Sequence, residues 1–110
     1  SGKAEALLRE IGVVLKSSIT EIDKAGRLHD DKFGIILPEK NKRQAAHVAE
    51  DIRKNIEDRL AKVIKADKKF TVSIGVSENP IDGATAEELM VKAERLVRNA
   101  KSLGKNRVAV

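Results

Sequence analysis

Helix-period and strand-period segments alternate along this chain, which predicts an α+β fold with helices packed on an antiparallel or mixed sheet. Three observations carry that expectation: two long apolar stretches of 3.6-residue spacing that open on capping signals, one clean period-two run, and two short strand-like runs joined by an acidic turn. With 110 residues, 41% of them hydrophobic, the chain has room for one modest core, so a single domain over residues 1–110 is expected.

The elements follow in order. Ala4, Leu7, Leu8, Ile11, Val14, Leu15 and Ile19 fall on one helical face and predict a first helix from Ala4 to about Ile19. Lys24 to Leu28 and Lys32 to Leu37 flank His29-Asp30-Asp31, with Phe33, Ile35 and Leu37 on one side until Pro38 stops the run, which reads as a hairpin with an acidic tip. Asn41 followed by Gln44 opens a second helix, continued by Ala45, Val48, Ala49, Ile52, Ile56, Leu60 and Val63. Phe70, Val72, Ile74 and Val76 alternate with Thr71, Ser73 and Gly75 as a strand that ends in the turns Asn79-Pro80 and Asp82-Gly83. Thr85 to Glu88 forms a capping box before Leu89, Met90, Ala93, Leu96, Val97, Ala100 and Leu103, and Gly104 suits the exit of this third helix. Arg107 to Val110 can add a short terminal strand.

Composition narrows the function classes. There is no cysteine, which removes disulfides and thiolate chemistry and favours a cytoplasmic setting. No apolar run approaches a membrane span. Lys plus Arg number 22 against 17 Asp plus Glu, a net charge of +5 that suits phosphate-bearing partners. Only Phe33 and Phe70 are aromatic, so a base-stacking platform is poorly supplied and nucleic acid is not the expected partner.

Three stretches, in order, resemble the GGDEF domain of diguanylate cyclases. Arg27-Leu28-His29-Asp30-Asp31-Lys32-Phe33 followed by Ile35-Ile36-Leu37-Pro38 is similar to the R-x-G-G-D-E-F hairpin and its L-L-P strand. Thr71-Val72-Ser73-Ile74-Gly75-Val76 is similar to the T-x-S-I-G-V strand. Ala93-Glu94 through Ala100-Lys101 and Gly104-Lys105-Asn106-Arg107-Val108 resembles the family's ending. The resemblance implies a ferredoxin-like, nucleotide-cyclase palm, a split βαβ arrangement whose opening strand is missing from this chain. In the family that strand lies between the strands expected at Phe33 to Leu37 and Phe70 to Val76. Its loss should leave two edges to be filled by a neighbouring chain, by Arg107 to Val110, or by residues of a longer signalling protein of which this is a fragment.

The resemblance implies condensation of two GTP molecules into cyclic di-GMP by a dimer, which needs carboxylates for two divalent cations, glycines that admit phosphates, and cations on the triphosphate. Here the signature glycines are His29 and Asp30, placing side chains where the family's backbone approaches the nucleotide. Asp31 keeps a carboxylate and is the one candidate Mg²⁺ ligand, whereas Lys32 stands at a position normally acidic and would repel the metal. Lys101 and Lys105 match positions that contact the triphosphate, Lys105 in place of the more usual Arg. Thr20-Glu21-Ile22-Asp23 matches the R-x-x-D product-inhibition site but lacks its arginine. The expectation is a degenerate GGDEF-like regulatory, nucleotide-sensing or dimerisation module without cyclase activity, Mg²⁺ entering only with a bound nucleotide. An active cyclase completed by an upstream strand and a basic nucleic-acid binder are the alternatives. Read without the family, Asp30-Asp31 is a turn pair, His29 a solvated tip residue, and Lys101 and Lys105 are favourable charges at a helix carboxyl end. Lys40, Lys42, Arg43, Lys65, Lys68 and Lys69 read as solvated ends of the second helix.

Overall fold

The computed structural model describes residues 2–20, 23–29, 32–64 and 69–110. Its elements are α1 (Gly2–Ser17), β1 (Lys24–His29), β2 (Lys32–Ile36), α2 (Lys42–Val63), β3 (Ile74–Gly75), α3 (Ala86–Ser102) and β4 (Val108–Ala109). Order and type follow the sequence expectation throughout.

Both capping boxes form. Asn41 accepts from the Gln44 backbone N–H while the Gln44 side chain accepts from Asn41 N–H, and Thr85 and Glu88 do the same at α3. Each box satisfies amides that the first helical turn leaves unpaired. At the other end of α3, Gly104 N–H donates to Lys101 C=O at 3.3 Å and Lys105 N–H to Ala100 C=O at 2.9 Å, the paired bonds of a Schellman exit. Gly104 takes φ +121°, a value that disfavours any side chain, and Lys105 and Asn106 follow at 64° and 50°.

The core is a helix–helix seam. Val14 and Leu15 of α1 meet Ile52, Ile56 and Leu60 of α2, and Leu7, Ile11, Phe33, Ile35, Phe70, Val72 and Ile74 pack around them. Glu10 and Arg59 tie the two helices at the surface, 3.1 Å apart.

Strand pairing departs from one continuous sheet. β1 and β2 form an antiparallel hairpin, with Ala25 opposite Ile35, Arg27 opposite Phe33, and a bulge before His29 opposite Lys32. β3 pairs in parallel with β4, Ile74 opposite Val108, and among the described residues no ladder joins this pair to the hairpin. The period-two run from Phe70 therefore has a ladder only at Ile74–Gly75, although Phe70 and Val72 still contribute to the core. The tail strand takes one edge of β3 and reaches no strand of the hairpin. Side-chain burial fixes which way a segment faces, but a ladder also needs a neighbour at backbone distance.

Gly75 explains how closely α3 lies on β3. A Cβ there would collide with the Ala93 carbonyl oxygen and come within 3.0 Å of Leu96 Cβ. Only glycine permits this approach of strand to helix.

Candidate functional site

The described part of the signature lies on the hairpin strands, His29 at the end of β1 and Lys32 and Phe33 at the start of β2. His29 closes β1 and is paired across the strands with Lys32, the first residue of β2. The side chain of His29, together with Asp30 and Asp31, lies outside the described residues. The Asp31 metal assignment therefore remains a matter of sequence.

Lys32 carries the clearest local chemistry. Its Nζ lies 3.3 Å from Glu94 Oε2 on α3, with the two side chains 47% and 41% exposed. A position normally acidic in the family thus supplies a cation, and that cation is already engaged by a carboxylate 62 residues away. Sequence reading found Lys32 but not its partner, since nothing in residues 32 and 94 alone shows that the hairpin tip and the middle of α3 meet. Among the described residues no group of three or more His, Cys, Asp or Glu is arranged to hold a metal ion.

Phe33 points its ring inward to the core and also lines an open cleft of about 240 Å³ with Glu5, Leu8 and Arg9 of α1.

Asp23 sits immediately before β1 with its side chain 1% exposed. Thr20 N–H and Thr20 Oγ1 donate to its Oδ2 at 2.9 and 3.0 Å, and Lys40 Nζ lies at 3.8 Å. The Thr20 amide first, then the Thr20 hydroxyl and Lys40, hold this carboxyl below its ordinary range against the opposing effect of burial. Its Oδ1 has no partner among the described residues. Where an R-x-x-D site would offer an arginine for phosphate, Thr20 instead turns back onto Asp23, and Lys40 after β2 reaches the same carboxylate. The three residues clasp the open end of the hairpin.

Lys101 lies in the last turn of α3, and Lys105 lies beyond the helix, so the two are not on one regular helical face. Both are exposed. What fixes Lys105 is its neighbour. Asn106 accepts from Arg53 Nη1 at 2.7 Å and donates to Glu57 Oε2 at 3.2 Å, both on α2. Glu50 holds Arg53 through two bonds of 2.7 and 2.8 Å, and Lys69 Nζ stands 3.0 Å from Glu57. Lys69, then Asn106 and Arg53, keep the Glu57 carboxyl below its usual range. Sequence reading passed over this clamp, although an Asn just after a helix-ending Gly is a signal for left-handed backbone. The reading of Lys40, Lys42 and Lys69 as merely solvated is corrected in the same way: each finds a carboxylate, Lys42 pairing with the nearly buried Asp82 at 2.7 Å.

Comparison with known proteins agrees with this geometry. The family model described as diguanylate cyclase, GGDEF domain, matches residues 1–107. Diguanylate cyclase VdcA of Vibrio cholerae is 34% identical over 107 residues, covering 94% of this chain and 31% of that protein. Diguanylate cyclase A of Treponema denticola is 29% identical over 106 residues, covering 96% of this chain and 29% of that protein. The chain therefore spans about a third of the length of these relatives. Among solved structures, the coiled coil and GGDEF domain of DgcB from Caulobacter crescentus, in complex with c-di-GMP, superposes with a TM-score of 0.75 at 20% identity, over 94% of this chain and 56% of that one.

Proposed function

Since the chain belongs to the GGDEF domain family, we propose that it is a nucleotide-sensing regulatory module of a longer signalling protein and does not itself make cyclic di-GMP. The observation that carries this reading is the Lys32–Glu94 ion pair, which puts a satisfied cation where metal-dependent condensation calls for a carboxylate. His29 and Asp30 in place of glycines, and a negative charge beside the phosphates, act in the same direction.

In this reading Lys101 and Lys105 meet the phosphates of a bound guanine nucleotide. Mg²⁺ would enter with the nucleotide, held by its phosphate oxygens and at most by Asp31; it would neutralise phosphate charge. A second copy of the domain, or a strand from elsewhere in the longer protein, would complete the interval between β2 and β3. No helix of the described residues is long and apolar enough to cross a membrane, and the reading places the domain in the cytoplasm, where GTP is available.

Purified protein with GTP and Mg²⁺ should yield no cyclic di-GMP, while calorimetry should detect nucleotide binding that weakens about tenfold on Lys101→Ala with Lys105→Ala. Product formed at a rate sensitive to Asp31→Ala would overturn the reading.

One observation favours a second reading. Among the described residues the two ladders are not joined, and the chain is about a third of its relatives' length. If the longer protein inserts an Asp-bearing strand there, the assembled domain is a working cyclase. Assay of the complete gene product for cyclic di-GMP separates the two.

A further inference from the structure

The charge of this chain is not spread along it. Residues 95–110 hold Arg95, Arg98, Lys101, Lys105 and Arg107 and no acid, five of the 22 basic residues, which leaves 17 basic against 17 acidic residues over positions 1–94. The entire net charge of +5 therefore resides in the second half of α3 and the segment that follows.

All five side chains are exposed, and none pairs with a carboxylate among the described residues. Elsewhere the cations are mixed: Lys32, Lys40, Lys42, Arg53, Lys54, Arg59 and Lys69 each have an acidic partner, whereas Arg9, Lys16, Lys24, Arg43, Lys62 and Lys92 pair with none among the described residues and lie scattered over α1, β1, α2 and α3. Helix-end electrostatics accounts for Lys101, but Arg95 stands about two turns from the carboxyl end, beyond the reach of that effect. Like charges three residues apart also work against helix stability. Stability alone does not explain the strip.

Its geometry is that of a prepared surface. Arg95, Arg98 and Lys101 follow at intervals of three residues, rising about 4.5 Å per step along α3. Val91, 62% exposed, lies one turn before Arg95 on the same face. The downstream end is held by the Schellman exit, the Asn106 clamp on α2, and the bonds from Ile74 N–H to Arg107 C=O and Val76 N–H to Ala109 C=O. Cations on such a support lose less freedom on binding.

We propose that this strip docks an acidic amphipathic helical segment of a partner protein. Carboxylates of the segment at three-residue spacing face Arg95 and Arg98, and one of its apolar side chains covers Val91. A phosphodiester backbone offers Val91 no apolar contact, and the chain's two aromatics, Phe33 and Phe70, both pack toward the core. A lipid surface fits less well, because exposed Leu103 follows Lys101 by two residues and so faces away from it.

The test uses the whole chain and a synthetic helical peptide with glutamates at successive i, i+3 positions and a leucine one turn before them. Saturable binding that weakens as salt rises is expected. Arg95→Gln with Arg98→Gln should reduce affinity about tenfold, Arg95→Lys with Arg98→Lys by less, and Val91→Ser about threefold. The double Gln variant should keep its circular dichroism spectrum and its nucleotide affinity, so this proposal and the nucleotide-sensing reading fail separately. No binding at low ionic strength, or binding indifferent to the double Gln variant, overturns it. So does tighter binding of a mixed-sequence DNA duplex or of phosphatidylserine vesicles than of the peptide.

Discussion

The two ladders of this domain are built on opposite principles. The hairpin β1–β2 has five paired positions from residues close in sequence, whereas β3–β4 has two and joins positions more than 30 residues apart. The hairpin is long but lies against the core through few side chains, chiefly Ala25, Phe33 and Ile35. The β3–β4 ladder is short but wedged under α3, with Gly75 against Ala93 and Leu96, and its tail is clamped to α2. Backbone pairing supports the first region, and side-chain and helix packing the second. Val72 makes the point most plainly, since it packs on the core outside both ladders of the described residues.

Four experiments break or sharpen that contrast. The largest effect is expected from Ile56→Ala, because Ile56 is 1% exposed in the seam on which both regions rest; chemical denaturation should register a loss of about 4 kcal/mol. Gly75→Ala should cost about 3 kcal/mol through overpacking against the Ala93 carbonyl. Native-state hydrogen exchange should show that loss in α3, β3 and β4 before the hairpin, and equal loosening of the hairpin would refute the division.

Acid should loosen the second region through its ion pairs. The Lys42 ammonium and then the Glu78 amide hold the Asp82 carboxyl below its ordinary range, as Lys69 does for Glu57 and Arg53 for Glu50. A carboxylate whose folded-state pKa is depressed contributes stability that is complete above its unfolded value, about 4, and is lost as pH falls through the folded value. Melting temperature should therefore drop below about pH 4, and Asp82→Asn should flatten that decline while lowering stability at neutral pH. The smallest change belongs to Lys32→Gln. Its ion pair is about half exposed, so the stability loss should stay under about 1 kcal/mol and shrink further in high salt.

Much of the fold was legible because its signals are local. The capping pairs Asn41/Gln44 and Thr85/Glu88, the helical faces and the two strands of the hairpin all rest on signals within a few residues, and each of these forms where expected. The extent of pairing in the run from Phe70 to Val76 was not legible, because alternation reports the buried face and says nothing of a neighbouring strand. The candidate site divides in the same manner. Lys32, Phe33, Lys101 and Lys105 were visible as residue types at signature spacing. The partners that give them meaning, Glu94 for Lys32 and the Arg53–Glu57–Asn106 clamp beside Lys105, come from distant positions.

Sequence by itself determined the order and type of the elements and most of the residues facing the core, since periodicity, capping and side-chain type act over one or two turns. Tertiary structure alone decided which charges are spent on one another and which stand open. Lys32, Lys42 and Arg59 meet carboxylates only when hairpin, loop and helices come together. Arg95, Arg98 and Lys101 meet none among the described residues, because the fold leaves their side of α3 exposed.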